Sequence, residues 1–320
     1  MSVYNRGLLT PPDEEEVYPY RRVWSSLLTE NAALIILTIA TAVVFGLLGL
    51  RLPGALTTAV NLMLIAAPVI LWLLFSVVRE RFAVEPRQRL ITVFVVTALA
   101  ANALALPIID GVLQPEHWLP LEGAINRIIG YTFTVGIVQE TVKYAVVRFT
   151  AWPDLFRTRL DGVAYCAASA LGYAFVLNVH FLLAQPGITP DIMAMQMFNN
   201  VAVNLAGSLI VAYGLAEVRF DNPMPFLLTI TVALAALING IAIPVRSGLT
   251  NAAFVLPATA EAPTIIDTIL GAFSAHSVTP KPILAFVFSV VLVLVFGLIV
   301  AFLFNNAERQ AREAAAGSEV

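Results

Sequence analysis

The apolar stretch "VGIVQETVKYAVV", residues 135–147, carries Gln139, Glu140, Thr141 and Lys143 at its centre. A carboxylate in such a setting can bind a metal, act as a general base or move a proton. Three-residue spacing also puts Glu140 and Lys143 on one helical face. There they can neutralise each other and lead the charge toward a membrane surface. A working carboxylate and a structural ion pair both fit the spacing. The other ionisable groups inside apolar runs are His180 and, at the start of a run, Asp161.

The elements that must position these groups follow from composition. The chain has 320 residues, 59% hydrophobic and 12% charged, and a mean hydropathy of +0.85. A soluble domain holds about 25% charged residues. Apolar runs of twenty or more residues predict helices rather than barrel strands, which need about ten alternating residues. The expected fold is an all-α, polytopic bundle of about eight spans: 31–50, 55–78, 90–113, 125–148, 161–184, 195–217, 224–245 and 282–304. Residues 1–28 and 306–320 read as polar tails around a membrane domain at 29–305. No cleavable signal peptide is visible, so the first span acts as its own insertion signal. No basic block points to nucleic acid. The single cysteine, Cys166, excludes an intrachain disulfide and reads as a small core residue.

Loop charge predicts the orientation. Arginines crowd the segments before span 1, between spans 2 and 3, between 4 and 5, and after 8. The opposite segments hold Arg51, Arg127, Arg246 and Lys281. Both termini are therefore expected in the cytoplasm and segment 247–280 outside. Within that loop, "APTIIDTILGAFSAH" has helical apolar spacing and reads as either an interfacial helix or an ordinary loop.

Depth along the spans groups several amides. At 1.5 Å per residue, Asn61, Asn102, Asn178, Asn204 and Asn239 fall about 20 to 27 Å from the cytoplasmic ends of their spans. An asparagine facing lipid would leave its amide unsatisfied, so these should point inward as interhelical glue or as the lining of a polar cavity. Gly172, Gly207, Gly214 and Gly240 let helices approach near this layer. Pro68 and Pro107 should bend spans 2 and 3.

Read together, "QETVK" at 139–143 and "LDGVAYCAASALGYAFVLNVHF" at 160–181 resemble the PrsW family of intramembrane metalloproteases, within the wider CAAX-protease and bacteriocin-processing superfamily. That family carries EExxK on one helix. The next helix has a DG-x-x-Y-G start, a glycine-rich middle and a GFAxxEN end. Glu140 and Lys143 match the first motif; Asp161, Gly162, Tyr165, Gly172, Ala174 and Asn178 match the second. Asn239 aligns with the Asn closing the family's last His-containing motif. The PrsW-like core then covers about 125–245.

By that resemblance the cofactor is zinc. Glu140 serves as ligand or base, Lys143 fixes its charge, and Asn239 steadies an oxyanion. The substrate is a membrane-anchored regulatory protein, and the location is a bacterial inner membrane. The departures are specific. Gln139 stands at the first Glu of EExxK and Leu177 at the Glu of GFAxxEN. The later spans carry Asn204 and Asn239 and no histidine. An amide is neither a general base nor an anionic ligand. Among membrane residues, Glu140 and His180 remain as metal-ligand candidates. Gln139, Asp161, Asn178 and Asn204 are candidates for a polar layer or substrate contact.

Three functions follow. An active intramembrane metalloprotease needs bound zinc. A non-catalytic relative binds a partner's transmembrane segment or serves as a membrane-complex subunit; there Glu140→Gln should be silent while bulky changes at Gly172 or Gly207 disrupt association. A small transporter would use the same buried polar groups, though neither broken helix pairs nor a repeat supports it.

Overall fold

A computed structural model describes residues 22–221, 226–251 and 282–318. Among these residues the structure is helical and contains no strand. Seven helices are long and apolar enough to cross a membrane: α1 (Val23–Leu47), α2 (Gly54–Glu80), α3 (Leu90–Leu121), α5 (Arg159–Ala184), α6 (Pro190–Phe220), α7 (Leu227–Thr250) and α8 (Ile283–Ala307). Helix α4 occupies residues 124–150. It is about 40 Å long at 1.5 Å per residue, enough to span a bilayer. Its charges, Arg127, Glu140, Lys143 and Arg148, keep it from qualifying on apolarity.

The boundaries shift from the sequence expectation where polar residues face inward. Helix α1 begins at Val23, so the polar tail ends earlier than residue 28. Ser26 donates to the Phe75 carbonyl at 2.7 Å, and the Ser76 hydroxyl donates to Glu30, which is buried. Both polar residues thus sit against α2, and the helix runs through them. Helix α7 continues as far as Asn251 and the last helix as far as Ser318. The start of the external loop and most of the carboxy-terminal tail are therefore helical. The expected interfacial helix lies outside the described residues. Pro68 lies within α2, with a widened π-type turn at Leu73–Val77 beyond it, and Pro107 opens a second at Pro107–Leu113. Similar turns at Ala42–Leu47 and Thr132–Gly136 contain no proline, so the prolines alone do not account for the widening.

Helix α6 is the axis of the bundle. Its most apolar window is 89% buried, against 28% for α1, α3 and α8. It packs against α5, α7, α8, α2 and α1. Phe198 of α6 meets Phe286 of α8 edge-on, with ring centroids 5.1 Å apart. Gly172 brings α5 against α3, where a Cβ would overlap the Phe94 carbonyl. The outer helices turn leucine, isoleucine and valine side chains outward, as a bilayer requires.

One face is held by ion pairs, buried at Arg87 and Arg159 and exposed at Glu85. Arg87 bridges Glu80 (3.0 Å) and Asp161. Arg159 pairs with Glu217 at 3.3 Å, and Arg157 with Glu85 at 2.7 Å. These contacts tie the α2–α3 connection to the start of α5, and α5 to the end of α6.

Candidate functional site

The polar side chains of α4 to α7 form one connected column. Glu140 is fully buried. Its Oε1 accepts from Lys143 Nζ at 2.7 Å and from Asn239 Nδ2 at 2.6 Å. Lys143 also donates to Asn204 Oδ1 at 3.0 Å and to the Asn204 backbone carbonyl at 3.3 Å. Asn204 Nδ2 returns to the Asn200 carbonyl at 2.9 Å, one turn earlier in α6. Asn200 Nδ2 then donates to Asn178 Oδ1 of α5 at 2.8 Å. Four helices are joined by groups that each exchange solvation for a specific partner.

Local sequence explains how the column assembles. Glu140 and Lys143 are one turn apart and share a face, as their spacing predicts. Gly207 faces them: a Cβ there would lie 2.7 Å from Glu140 Oε1 and 3.3 Å from Asn239 Nδ2. The glycine therefore makes room for the carboxylate between α4, α6 and α7. Lys143 also lies over the Tyr173 ring, 5.8 Å from its centroid. Glu140 Oε2 is buried without a partner. Gln139 is buried and lies within reach of Tyr173.

Of the five depth-matched asparagines, Asn178, Asn204 and Asn239 enter this column. Asn61 instead donates to the Ile188 carbonyl at 2.9 Å, and Asn102 contacts His180 at 2.8 Å. His180 and Asn102 are exposed at the rim of the bundle, away from Glu140's partners. Asp161 belongs to the start of α5: it accepts from the Arg157 and Thr158 backbone N–H groups at 2.6 and 2.7 Å and pairs with Arg87. Those bonds cap a helix and leave it outside the column. Leu177 packs against the apolar cluster of Ala101, Ala105, Leu106, Tyr173 and Val176. Cys166 is a buried core residue. The sequence reading missed Asn200; its four-residue spacing from Gln196 and Asn204 is the signal that could have found it, though its linking role needs the partner helix.

Residues 85–221 match the model of the PrsW family intramembrane metalloprotease. That segment is similar to the PrsW family. The match starts just ahead of α3 and ends just past α6, so it includes Glu140, Lys143, Asn178 and Asn204, while Asn239 lies beyond it. No curated protein and no solved structure matches the chain. The match, with seven helices among the described residues long and apolar enough to cross a membrane, marks a multi-pass membrane protein.

The family implies zinc, and the column can be tested for fit. A catalytic zinc takes three protein ligands, usually His or carboxylate, and leaves a position for water. The unpartnered Glu140 Oε2 is a suitable first donor. The remainder of the column is Lys143, a cation, with the amides of Asn239, Asn204, Asn200 and Asn178. Among the described residues no three His, Cys, Asp or Glu side chains are grouped to hold a metal. One carboxylate, already neutralised by an ammonium, does not fit a zinc centre.

Proposed function

We propose that this protein keeps the PrsW helical frame without its metal chemistry and acts by binding a transmembrane segment of another membrane protein, as a subunit rather than as a protease. The observation carrying this reading is the environment of Glu140. Its charge is balanced by Lys143, its bonded oxygen is filled by Lys143 and Asn239, and its neighbours along the column are amides. Gln139 and Leu177, at the positions of family carboxylates, supply no further anionic donor. The loop charges support both termini on the cytoplasmic side of the membrane.

The test is metal content in the full-length protein, purified without chelator or added metal. Zinc far below one per chain is expected, and it should not change in Glu140→Gln/Lys143→Met. One tightly held zinc per chain in the wild type, lost in that double variant, overturns the reading. A second reading, an active protease of membrane-anchored regulators, draws on the family and on the bare Glu140 Oε2. It requires that zinc, together with loss of substrate cleavage in the same variant.

A further inference from the structure

A second polar cluster sits at the far end of the column and is independent of Glu140 chemistry. Arg246 of α7 donates to the Asn199 backbone carbonyl at 3.3 Å and to Asn200 Oδ1 at 3.5 Å. Gln196 Nε2 approaches the same Oδ1 at 3.4 Å. The guanidinium Nε is buried without a partner, and so is Nδ2 of the fully buried Asn178. The neighbouring Asn199 leaves its own Oδ1 unpaired. No carboxylate among the described residues pairs with Arg246. A partly buried guanidinium with no carboxylate partner among the described residues is costly, and intramembrane arginines normally find an anion.

The depth of the cluster indicates which anion. At 1.5 Å per residue, Asn178 lies about 28 Å from the Arg159 end of α5, Asn200 about 30 Å from the Phe220 end of α6, and Arg246 about 28 Å from the Leu227 end of α7. A hydrocarbon core is about 30 Å thick. Three helices thus place the cluster at the opposite bilayer boundary, the level of headgroup phosphates. Arg246 and Gln196 are only partly buried, whereas Asn178 and Asn200 lie behind them. The site has its charged fork at the front and an unused amide donor behind. A guanidinium fork suits the paired oxygens of a phosphate better than a point charge would.

We propose that Arg246, Gln196 and Asn178 bind a phosphate group at the membrane boundary, supplied by the headgroup of an anionic phospholipid. The test uses the full-length protein in nanodiscs of phosphatidylcholine, with or without phosphatidylglycerol, or with inorganic phosphate added to the phosphatidylcholine sample. Retained lipid is counted by native mass spectrometry, and the unfolding midpoint is followed in each. The wild type should retain phosphatidylglycerol over phosphatidylcholine by about tenfold and unfold at higher temperature with it. R246Q should lose that preference while keeping its elution and its midpoint in phosphatidylcholine. Stabilisation by inorganic phosphate equal to that by phosphatidylglycerol supports the phosphate chemistry but assigns a free ion as ligand. No lipid preference in the wild type, or a preference that survives in R246Q, overturns the proposal. If R246Q does not fold, R246K decides: a preference reduced to about threefold supports the fork, and a wild-type value overturns it.

Discussion

At the scale of single residues, Glu140 is defined by unequal treatment of its two oxygens. One is doubly bonded and the other is bare. This changes what a substitution should do. Glu140→Gln would be silent if the carboxylate were idle, but Lys143 stands 2.7 Å away with its charge balanced there. Removing one member of a buried pair costs about 3 kcal/mol or more, while removing both with apolar replacements is often near neutral. Glu140→Gln should therefore lower the unfolding free energy in detergent by about 3 kcal/mol, and Glu140→Gln/Lys143→Met should recover most of it. Gly207→Ala should cost about 1 to 3 kcal/mol, because its Cβ meets Oε1. In a Glu140→Ala background that penalty should largely vanish, and a double-mutant cycle measures the difference. Helical spacing made the Glu140–Lys143 pair legible in advance, and depth brought forward Asn178, Asn204 and Asn239. Depth alone could not separate them from Asn61 and Asn102, because rotation about the helix axis decides which neighbour an amide meets. Arg246 read only as a loop charge for the same reason: its partners Asn199 and Asn200 lie on α6.

At the scale of elements, the apolar runs gave most helices to within a few residues, since lipid-facing length is written directly in hydropathy. The exceptions were the start of α1, where a hydropathy boundary cuts off the inward polar groups Ser26 and Glu30, and the ends of α7 and the last helix, which run on to Asn251 and Ser318. Helix α4 is the instructive case. It has the length of a span, but Arg127, Glu140, Lys143 and Arg148 work against partition into lipid. Each charged residue near a helix centre adds about 2.5 to 3.5 kcal/mol to the cost of insertion. In a glycosylation-reporter assay, the isolated segment 124–150 should fail to insert, whereas 283–307 should insert efficiently. Adding α3 and α5 should raise insertion of α4, because its charges then have partners. Helix contacts are equally specific: Gly172→Leu should force α5 away from the Phe94 carbonyl of α3 and lower the unfolding midpoint by several degrees.

At the scale of the molecule, the ion pairs and the polar column hold opposite levels of one bundle. Arg87 joins two carboxylates from different segments near one end, while Asn200 joins α5, α6 and α7 toward the other. Breaking the first should be severe: Arg87→Ala leaves Glu80 and Asp161 without their cation, and a loss of about 3 to 5 kcal/mol is expected in equilibrium unfolding. The family frame covers α3 to α6, yet the Asn239 bond to Glu140 comes from α7, outside the matched segment. The buried position of α6 also sets an order of events during synthesis. Its neighbours include α1 and α2, made before it, and α7 and α8, made after it. Until Asn239 and Phe286 have left the ribosome, the growing chain must carry Glu140 and a column of asparagines with one flank uncovered. The nascent protein therefore needs shelter in the insertion machinery through its last helix, and a stalled or truncated chain should be a preferred target for membrane quality control.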